Sequence, residues 1–147
     1  MKLHHRIARH VLAASMAFRV WYPAHEARAE SATYRASRKA LIEDDPDACC
    51  RVCGSKHNLE THHFYVEWAF ANAVDWDKMR ELHPSFDWAS FKEPEDFVDS
   101  VYNLSPGVLC RKHHRLHAFG IHNLPYPVWL EQRHKPDDWR FAAREKS

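Results

Sequence analysis

The sequence predicts an α+β fold that is mostly helical. Only three of the 147 residues are glycine, which argues against an all-β fold built on many tight turns. Ala, Leu, Arg and Glu, which favour helices, are abundant. Two short segments, residues 59–64 and 104–109, are instead predicted to be strands. Because 45% of the residues are hydrophobic, we expect one domain with a modest core.

Two helices are predicted in the N-terminal part of the chain, over residues 3–20 and 24–43. Pro23 separates them, and the Asp/Pro-rich residues 44–47 end the second one. Within the second helix, apolar side chains can share one stripe while the basic ones lie elsewhere.

Three further helical stretches follow the first strand. One runs from about residue 65 to about Leu82, the next covers residues 95–102, and the last begins at Cys110 and should end at Gly120.

These elements divide the chain into three predicted parts. Residues 1–48 form a basic helical extension, and residues 49–123 form a core that carries a helical insertion at about 65–102. Residues 124–147 form a C-terminal segment that packs on the core.

Charge is unevenly distributed along the chain. The net charge is only +1, but residues 1–40 contain eight Lys or Arg and two acids. Residues 64–102 contain nine acids and three Lys or Arg. A basic end that contacts phosphates and an acidic middle with another role would explain this pattern, and so would two ordinary solvated helix faces.

No apolar run is as long as a membrane span, so we expect no membrane contact. The first 20 residues have some character of a targeting peptide, but Arg19 interrupts their apolar patch, and a mature helix is the preferred interpretation. We expect a cytoplasmic protein.

The cysteines indicate a structural zinc site. Cys50-x2-Cys53 and Cys110-x2-His113 are two half-sites, each able to direct two ligands at one ion from a tight turn. A disulfide framework is disfavoured because the chain does not look secreted and loop-rich. Two alternatives stay open: buried free cysteines beside a chance histidine, and Cys49 replacing Cys50 as a ligand.

A histidine pair, His62 and His63, lies at the end of the first predicted strand. Because successive side chains of a strand point to opposite faces, one of the two can face a metal ion while the other faces a substrate phosphate. Hydrolysis of a phosphodiester needs both a divalent cation and a general base, and histidine titrates close to working pH. With thirteen histidines in the chain, incidental ones are also expected.

Further polar residues surround the second predicted strand. Asn103, just before it, can hold a connecting loop through hydrogen bonds to backbone groups. His113, His114 and His117 are expected on one helix, where either of the first two could share an ion with His117. His122 comes just after that helix.

Taken in order, these residues resemble the HNH endonuclease family. The pattern is Cys50-x2-Cys53, Leu59-Glu60-Thr61-His62-His63, Asn103-Leu104 and Leu109-Cys110-x2-His113-His114. It is most similar to the zinc-stabilised phage and prokaryotic members, and it covers roughly residues 49–123. The resemblance implies a small ββα-metal core and a cell that is bacterial or infected by a phage.

The resemblance also implies roles. His62 and His114 would bind a catalytic divalent metal such as Mg²⁺ or Mn²⁺, His63 would be the general base, and Asn103 would orient the loop that carries it. Structural Zn²⁺ would be held by Cys50, Cys53, Cys110 and His113. The reaction would nick or cut DNA, leaving a 5′ phosphate and a 3′ hydroxyl.

Two positions depart from the family pattern. The last metal ligand usually falls where Ala118 stands here, so His117 or His122 must replace it. His122 is preferred because Gly120 can turn the chain back toward the ion. The insertion between His63 and Asn103 is also longer than usual, and its acidic helices could form a lid, a specificity element or a docking surface.

The expected partner is double-stranded DNA, with a phage or host protein able to dock on the acidic insertion. An alternative function is a zinc-braced nucleic-acid-binding module, or a phage-assembly adaptor, that lacks cleavage. Phosphate contacts are expected from basic residues in the extension and on the last helix. These are Arg6, Arg9, Arg28, Arg35, Arg38, Lys39, Arg111, Lys112 and Arg115.

Overall fold

A computed structural model describes residues 23–117 and 119–123. This part of the chain is a small α+β structure in which short helices surround a two-stranded antiparallel sheet. The predicted helix over 3–20, the C-terminal segment 124–147 and Arg6 and Arg9 lie outside the described residues.

The helices and strands are short and follow one another closely. In chain order they are α1 (Ala32–Arg38), a π-helical turn (Lys39–Glu43), β1 (Leu59–Thr61), a 3-10 helix (Trp68–Ala73), α2 (Trp76–Leu82), α3 (Pro94–Val98), α4 (Val101–Leu104), a second 3-10 turn (Ser105–Gly107), β2 (Val108–Cys110) and α5 (Arg111–Arg115).

The sheet joins two segments that are distant in sequence. β1 and β2 pair antiparallel, with Leu59 opposite Cys110 and Thr61 opposite Val108. The pairing continues past the strand ends, where His62 N–H donates to the Gly107 carbonyl at 2.9 Å. A Cβ on Gly107 would lie 2.0 Å from the His62 carbonyl oxygen, so this close approach requires glycine.

The helix predicted over 24–43 begins later than expected. Residues 23–31 are not helical, and α1 starts at Ala32 because the Ser31 hydroxyl accepts a hydrogen bond from Tyr34 N–H. The C-terminal boundary was predicted correctly, since the helical turn ends at Asp44.

The two helices predicted in the insertion are each broken by a capping residue. Val74 is extended, and α2 then begins behind Asp75, whose carboxylate accepts from Asp77 and Lys78 N–H. The helix predicted over 95–102 is split after Val98, and Ser100 caps α4 by accepting from Asn103 N–H. Asn103 therefore lies on a helix and not in an extended segment.

The elements around the second strand also differ from the prediction. Residues 105–107 form a 3-10 turn at Pro106, so the strand covers only Val108–Cys110. α5 ends at Arg115, well before Gly120, which leaves His117 outside the helix that was expected to carry it. The chain turns there because Gly120 N–H and Phe119 N–H both donate to the Leu116 carbonyl.

Two apolar clusters support the fold. One consists of Cys50, Val52, Leu109 and Cys110. Three partly buried residues, Leu59, Phe64 and Ile121, pack against them. The other lies within the insertion, around the fully buried Phe97, and is rich in aromatic side chains. The insertion therefore has a core of its own beside the sheet. Within the described residues, no helix has the length and apolar character that crossing a membrane requires.

Candidate metal centres and cleft

Four side chains of the two predicted half-sites converge on one point. The ligand atoms of Cys50, Cys53, Cys110 and His113 all lie within 4.8 Å of one another. Cys53 Sγ is 3.8 Å from Cys110 Sγ, and Cys50 Sγ is 3.6 Å from His113 Nδ1. A tetrahedral zinc ion with ordinary bond lengths separates two sulfurs by about 3.8 Å and a sulfur from a nitrogen by about 3.6 Å. This cluster can hold a metal ion, and its donors and spacing are compatible with structural zinc.

Local backbone geometry directs the two half-sites. Gly54 adopts a positive φ of 70°, and its N–H donates to the Cys50 carbonyl at 2.8 Å, which closes a tight turn around the first two cysteines. Cys110 ends β2 and caps α5, so His113 follows it within the first helical turn. Cys49 is exposed and lies outside the cluster, which leaves Cys50 as the converging sulfur.

The thiols of the cluster differ in their acidity. Burial raises the pKa of the Cys50 thiol, but hydrogen bonds from His113 and from nearby backbone groups outweigh burial and bring it down to about 6. Burial raises the pKa of Cys53 to about 11, helped by the neighbouring sulfurs of Cys50 and Cys110. A bound cation would favour the thiolate of each of these cysteines, because the thiolate is the form that binds a metal.

A second cluster consists of three imidazoles on the other side of α5. Ligand nitrogens of His62, His114 and His122 all lie within 4.8 Å of one another. The ring centroids of His62 and His122 are 4.7 Å apart, and those of His62 and His114 are 5.3 Å apart. Of the two residues predicted to complete this set, the structure brings His122 into it and leaves His117 outside.

The position of His122 depends on the turn after α5. Ile121 N–H donates to the His113 carbonyl at 3.0 Å, which folds the chain back along the helix. A Cβ on Gly120 would lie 2.8 Å from the His114 carbonyl oxygen, so only glycine allows this close return. The glycine acts through this close approach, since its φ is not positive.

Carboxylates lie beside two of the three imidazoles. His114 Nδ1 lies 2.5 Å from Glu60 Oε2, and Arg115 Nε donates to the same oxygen at 2.7 Å. His62 Nε2 lies 3.1 Å from Glu67 Oε1. A carboxylate that accepts from one ring nitrogen, as Glu60 does from His114, fixes the imidazole and frees the other nitrogen for a metal.

The imidazoles of this cluster are held in the neutral form. Burial and the adjacent rings of His122, His114 and His63 lower the pKa of His62 to about 3. Burial also lowers the pKa of His114, although Glu60 opposes it. Neutral imidazole is the form that binds a cation, so the described cluster suits a metal ion.

His63 lies outside the cluster of three imidazoles and has a carboxylate partner of its own. Its Nε2 lies 2.9 Å from Asp99 Oδ1, and Ser31 Oγ donates to the other oxygen of that carboxylate at 2.7 Å. The ring also packs against Tyr34, with centroids 5.9 Å apart. Burial opposes ionisation of Asp99, but the hydrogen bonds from His63 and Ser31 outweigh burial and lower its pKa.

Asn103 is fully buried and binds the backbone on both sides of the insertion. Its Oδ1 accepts from Tyr65 and Val66 N–H, and its Nδ2 donates to the carbonyls of Val66 and Val98. Phe64 N–H in turn donates to the Asn103 carbonyl at 3.1 Å. The side chain thus holds the loop that leaves His63.

An open cleft of about 530 Å³ borders the three clustered imidazoles and also His63. It is lined by Arg28, Glu30, Tyr34, Thr61, His62, His63, Glu67, His114, Arg115 and His122. Residues of the extension therefore line the cleft together with His122 from the turn after α5.

Four of the seven described basic residues that were predicted to contact nucleic acid already have acidic or carbonyl partners. Arg38 pairs with Glu43, Lys39 with Asp44, and Arg115 with Glu60. Arg35 donates to the Glu30 carbonyl at 2.6 Å. Lys112 lies 4.3 Å from the centre of the Phe119 ring. Arg111 and Lys112 are exposed on α5.

The residues that sequence reasoning missed are the partners of the histidines. Glu60, Glu67 and Asp99 had no predicted role. Glu60 stands within the quoted motif, two residues before His62, so its position on the same face of β1 was an available signal. Asp99 carried no such signal, because it meets His63 only through the fold of the insertion.

Comparisons of the chain with models of protein families, with curated proteins and with solved structures give no match.

Proposed function

We propose that this chain is a metal-dependent endonuclease of the HNH type that hydrolyses DNA phosphodiester bonds. The observation that carries the proposal is one cleft bordered by three convergent imidazoles and, from the adjacent chain position, by His63. β1, β2 and α5 would then be its ββα-metal core, braced by zinc at the four residues Cys50, Cys53, Cys110 and His113.

His62, His114 and His122 would hold the catalytic divalent cation. A cation bound there would neutralise charge on the scissile phosphate and on the leaving 3′ oxygen. Glu60 holds the His114 ring in place, and Glu60 and Glu67 add negative charge beside the ligands.

His63 would activate water. One of its ring nitrogens bonds to Asp99, and the other, Nδ1, has no hydrogen-bond partner among the described residues. No fully buried side-chain nitrogen or oxygen in that part of the chain lacks a partner, so Nδ1 keeps some exposed surface, and His63 lines the cleft. Nδ1 takes a proton from water as the water oxygen bonds to phosphorus and the bond to the 3′ oxygen breaks. The leaving oxygen takes a proton from solvent.

DNA would approach along α5 and the extension. Arg28 and Arg115 line the cleft, and Arg111 and Lys112 are exposed on α5. These cations would contact phosphates that flank the scissile one.

Plasmid nicking in the presence of Mg²⁺ or Mn²⁺ tests the proposal. We expect the parent to nick and His63→Ala to lose activity by roughly 10²–10⁴-fold, the usual contribution of a general base. His57→Ala is the matched control, since His57 is exposed and lies outside the cleft. Equal nicking by His63→Ala and the parent would refute the assignment of the base. A pure parent that never nicks would refute the proposal and favour the adaptor or binding module without cleavage.

The metal site is tested separately by binding of Mn²⁺. We expect His122→Ala to weaken binding roughly 10- to 100-fold and His117→Ala to leave it unchanged. Both residues lie in the chain segment that turns after α5. A comparison of the two variants therefore distinguishes the loss of a metal ligand from a disturbance of this turn. The reverse result would assign the last ligand to His117.

A further inference from the structure

We infer that Asp99 is the positioning residue for His63, and that Ser31 holds Asp99 in place. The inference rests on the proposed function, because it gives the general base of that reaction a partner. It also assigns a role to two segments outside the HNH motif: the acidic insertion, which supplies Asp99, and the extension, which supplies Ser31.

Burial makes the contact between Asp99 and His63 specific. Both residues are only 4% exposed, and their contact atoms are 2.9 Å apart. A buried carboxylate is costly unless hydrogen bonds satisfy it, and both oxygens of Asp99 have a partner. The fold thus keeps this carboxylate behind His63 and away from solvent.

The contact determines which nitrogen of His63 carries the proton. An ionised carboxylate can only accept a hydrogen bond, so the proton of neutral His63 resides on Nε2. The lone pair is then on Nδ1, the nitrogen that keeps some exposed surface. Once Nδ1 has taken a proton, the carboxylate stabilises the resulting imidazolium, as a carboxylate does behind the histidine of a catalytic triad.

Ser31 fixes the second oxygen of the carboxylate. Its hydroxyl donates to Asp99 Oδ2 at 2.7 Å and also accepts from Tyr34 N–H at the start of α1. Tyr34 packs on the His63 ring and its hydroxyl contacts Thr61 Oγ1 at 2.9 Å. The start of α1 therefore positions the Asp99 carboxylate through Ser31 and packs against the His63 ring through Tyr34.

The test compares full-length, zinc-loaded variants in two measurements. In plasmid nicking, we expect Asp99→Asn to lower kcat roughly ten- to a hundredfold, part of what a general base contributes, with little change in KM for DNA. Glu95→Gln removes the same charge from an exposed position of α3 and is the control. Equal activity of Asp99→Asn and the parent, with folding confirmed by circular dichroism, would overturn the inference.

The second measurement reads the tautomer of His63 by long-range ¹H–¹⁵N correlation spectra, without DNA or added divalent cation. The parent should show the Nε2-protonated form alone, and Asp99→Ala should show a mixture. A parent protonated on Nδ1 would overturn the inference whether or not the protein cuts DNA. If the parent never nicks but has the expected tautomer, the proposed function fails and the positioning contact stands.

Ser31 provides a second pair of variants if Asp99 variants do not fold. Ser31→Ala should lower kcat by a smaller factor than Asp99→Asn, and Ser31→Thr, which keeps the hydroxyl, should restore it. Loss of activity in both Ser31 variants with intact folding would contradict a role for the hydroxyl.

Discussion

The side chain of Asn103 holds Val66 from both sides. Its Oδ1 accepts from Val66 N–H at 3.1 Å, and its Nδ2 donates to the Val66 carbonyl at 2.9 Å. A chain segment bound in this way cannot slide, so the loop that leads away from His63 has one position.

Replacing Asn103 by Ala should therefore cost stability as well as activity. The change leaves buried backbone groups of Tyr65, Val66 and Val98 without partners, and we expect a loss on the order of 3 kcal/mol in the free energy of unfolding. Urea denaturation measures it. Asn72→Ala, which removes one exposed bond to the Ala24 carbonyl, is the control and should cost little. Similar losses in both variants would contradict the role given to Asn103.

The cysteine cluster should bind about one zinc per chain with Cys50 and not Cys49 as a ligand. We expect Cys50→Ser to lose zinc on dialysis against a moderate chelator and to unfold at lower temperature, because a bound ion stabilises only the folded chain. Elemental analysis and thermal unfolding check this. Cys49→Ser, one residue away and exposed, should keep both zinc and stability. Loss of zinc in Cys49→Ser with retention in Cys50→Ser would reverse the assignment.

Acid should destabilise the protein in the absence of Mg²⁺ and Mn²⁺. The unfolded chain protonates His62 near its ordinary pKa of 6.5, whereas the folded chain resists protonation down to about 3. The unfolded state therefore binds more protons between these values, and stability falls as pH drops through the window, by up to about 1.4 kcal/mol per pH unit for this group. Urea midpoints between pH 7 and 4.5 should fall less steeply in His62→Gln. His57→Gln is the control, and an unchanged slope in His62→Gln would refute the prediction.

Gly107 should tolerate no side chain. In Gly107→Ala, the Cβ would meet the His62 carbonyl 2.0 Å away, and β2 would have to move from the chain that carries the histidines. We expect a loss of about 3 kcal/mol or more, together with weaker binding of Mn²⁺. Gly54→Ala meets no atom within 4 Å, and its positive φ should cost only about 1–2 kcal/mol. Urea denaturation of the pair checks the difference, and equal losses would contradict it.

The sequence allowed prediction of those features that depend on spacing along the chain. The four residues of the cysteine cluster converge as their two half-sites predicted. The helices were predicted too long, because periodicity does not distinguish a polar residue within a helix from one that starts a new helix. Ser31, Asp75 and Ser100 are all such starts.

What could not be predicted depends on tertiary contact. The carboxylate of Asp99 is recognised only when the fold places it 2.9 Å from an imidazole nitrogen of His63. The preference for His122 over His117 rested on Gly120 turning the chain. The turn is present, and glycine is required in it because the returning chain passes close to the backbone of α5. The domain boundaries stay a prediction, as do the roles of the site residues.

The hydrogen bond from Phe64 N–H to the Asn103 carbonyl, at 3.1 Å, brings together the two ends of the long insertion. A segment whose ends meet can change in length at small entropic cost: closing 39 residues instead of about 6 costs about 1.7 kcal/mol more. An aromatic cluster around Phe97 offsets a cost of that size. Evolution can therefore lengthen, shorten or exchange this module while the histidines on either side keep their places, provided that a new module again supplies a carboxylate behind His63.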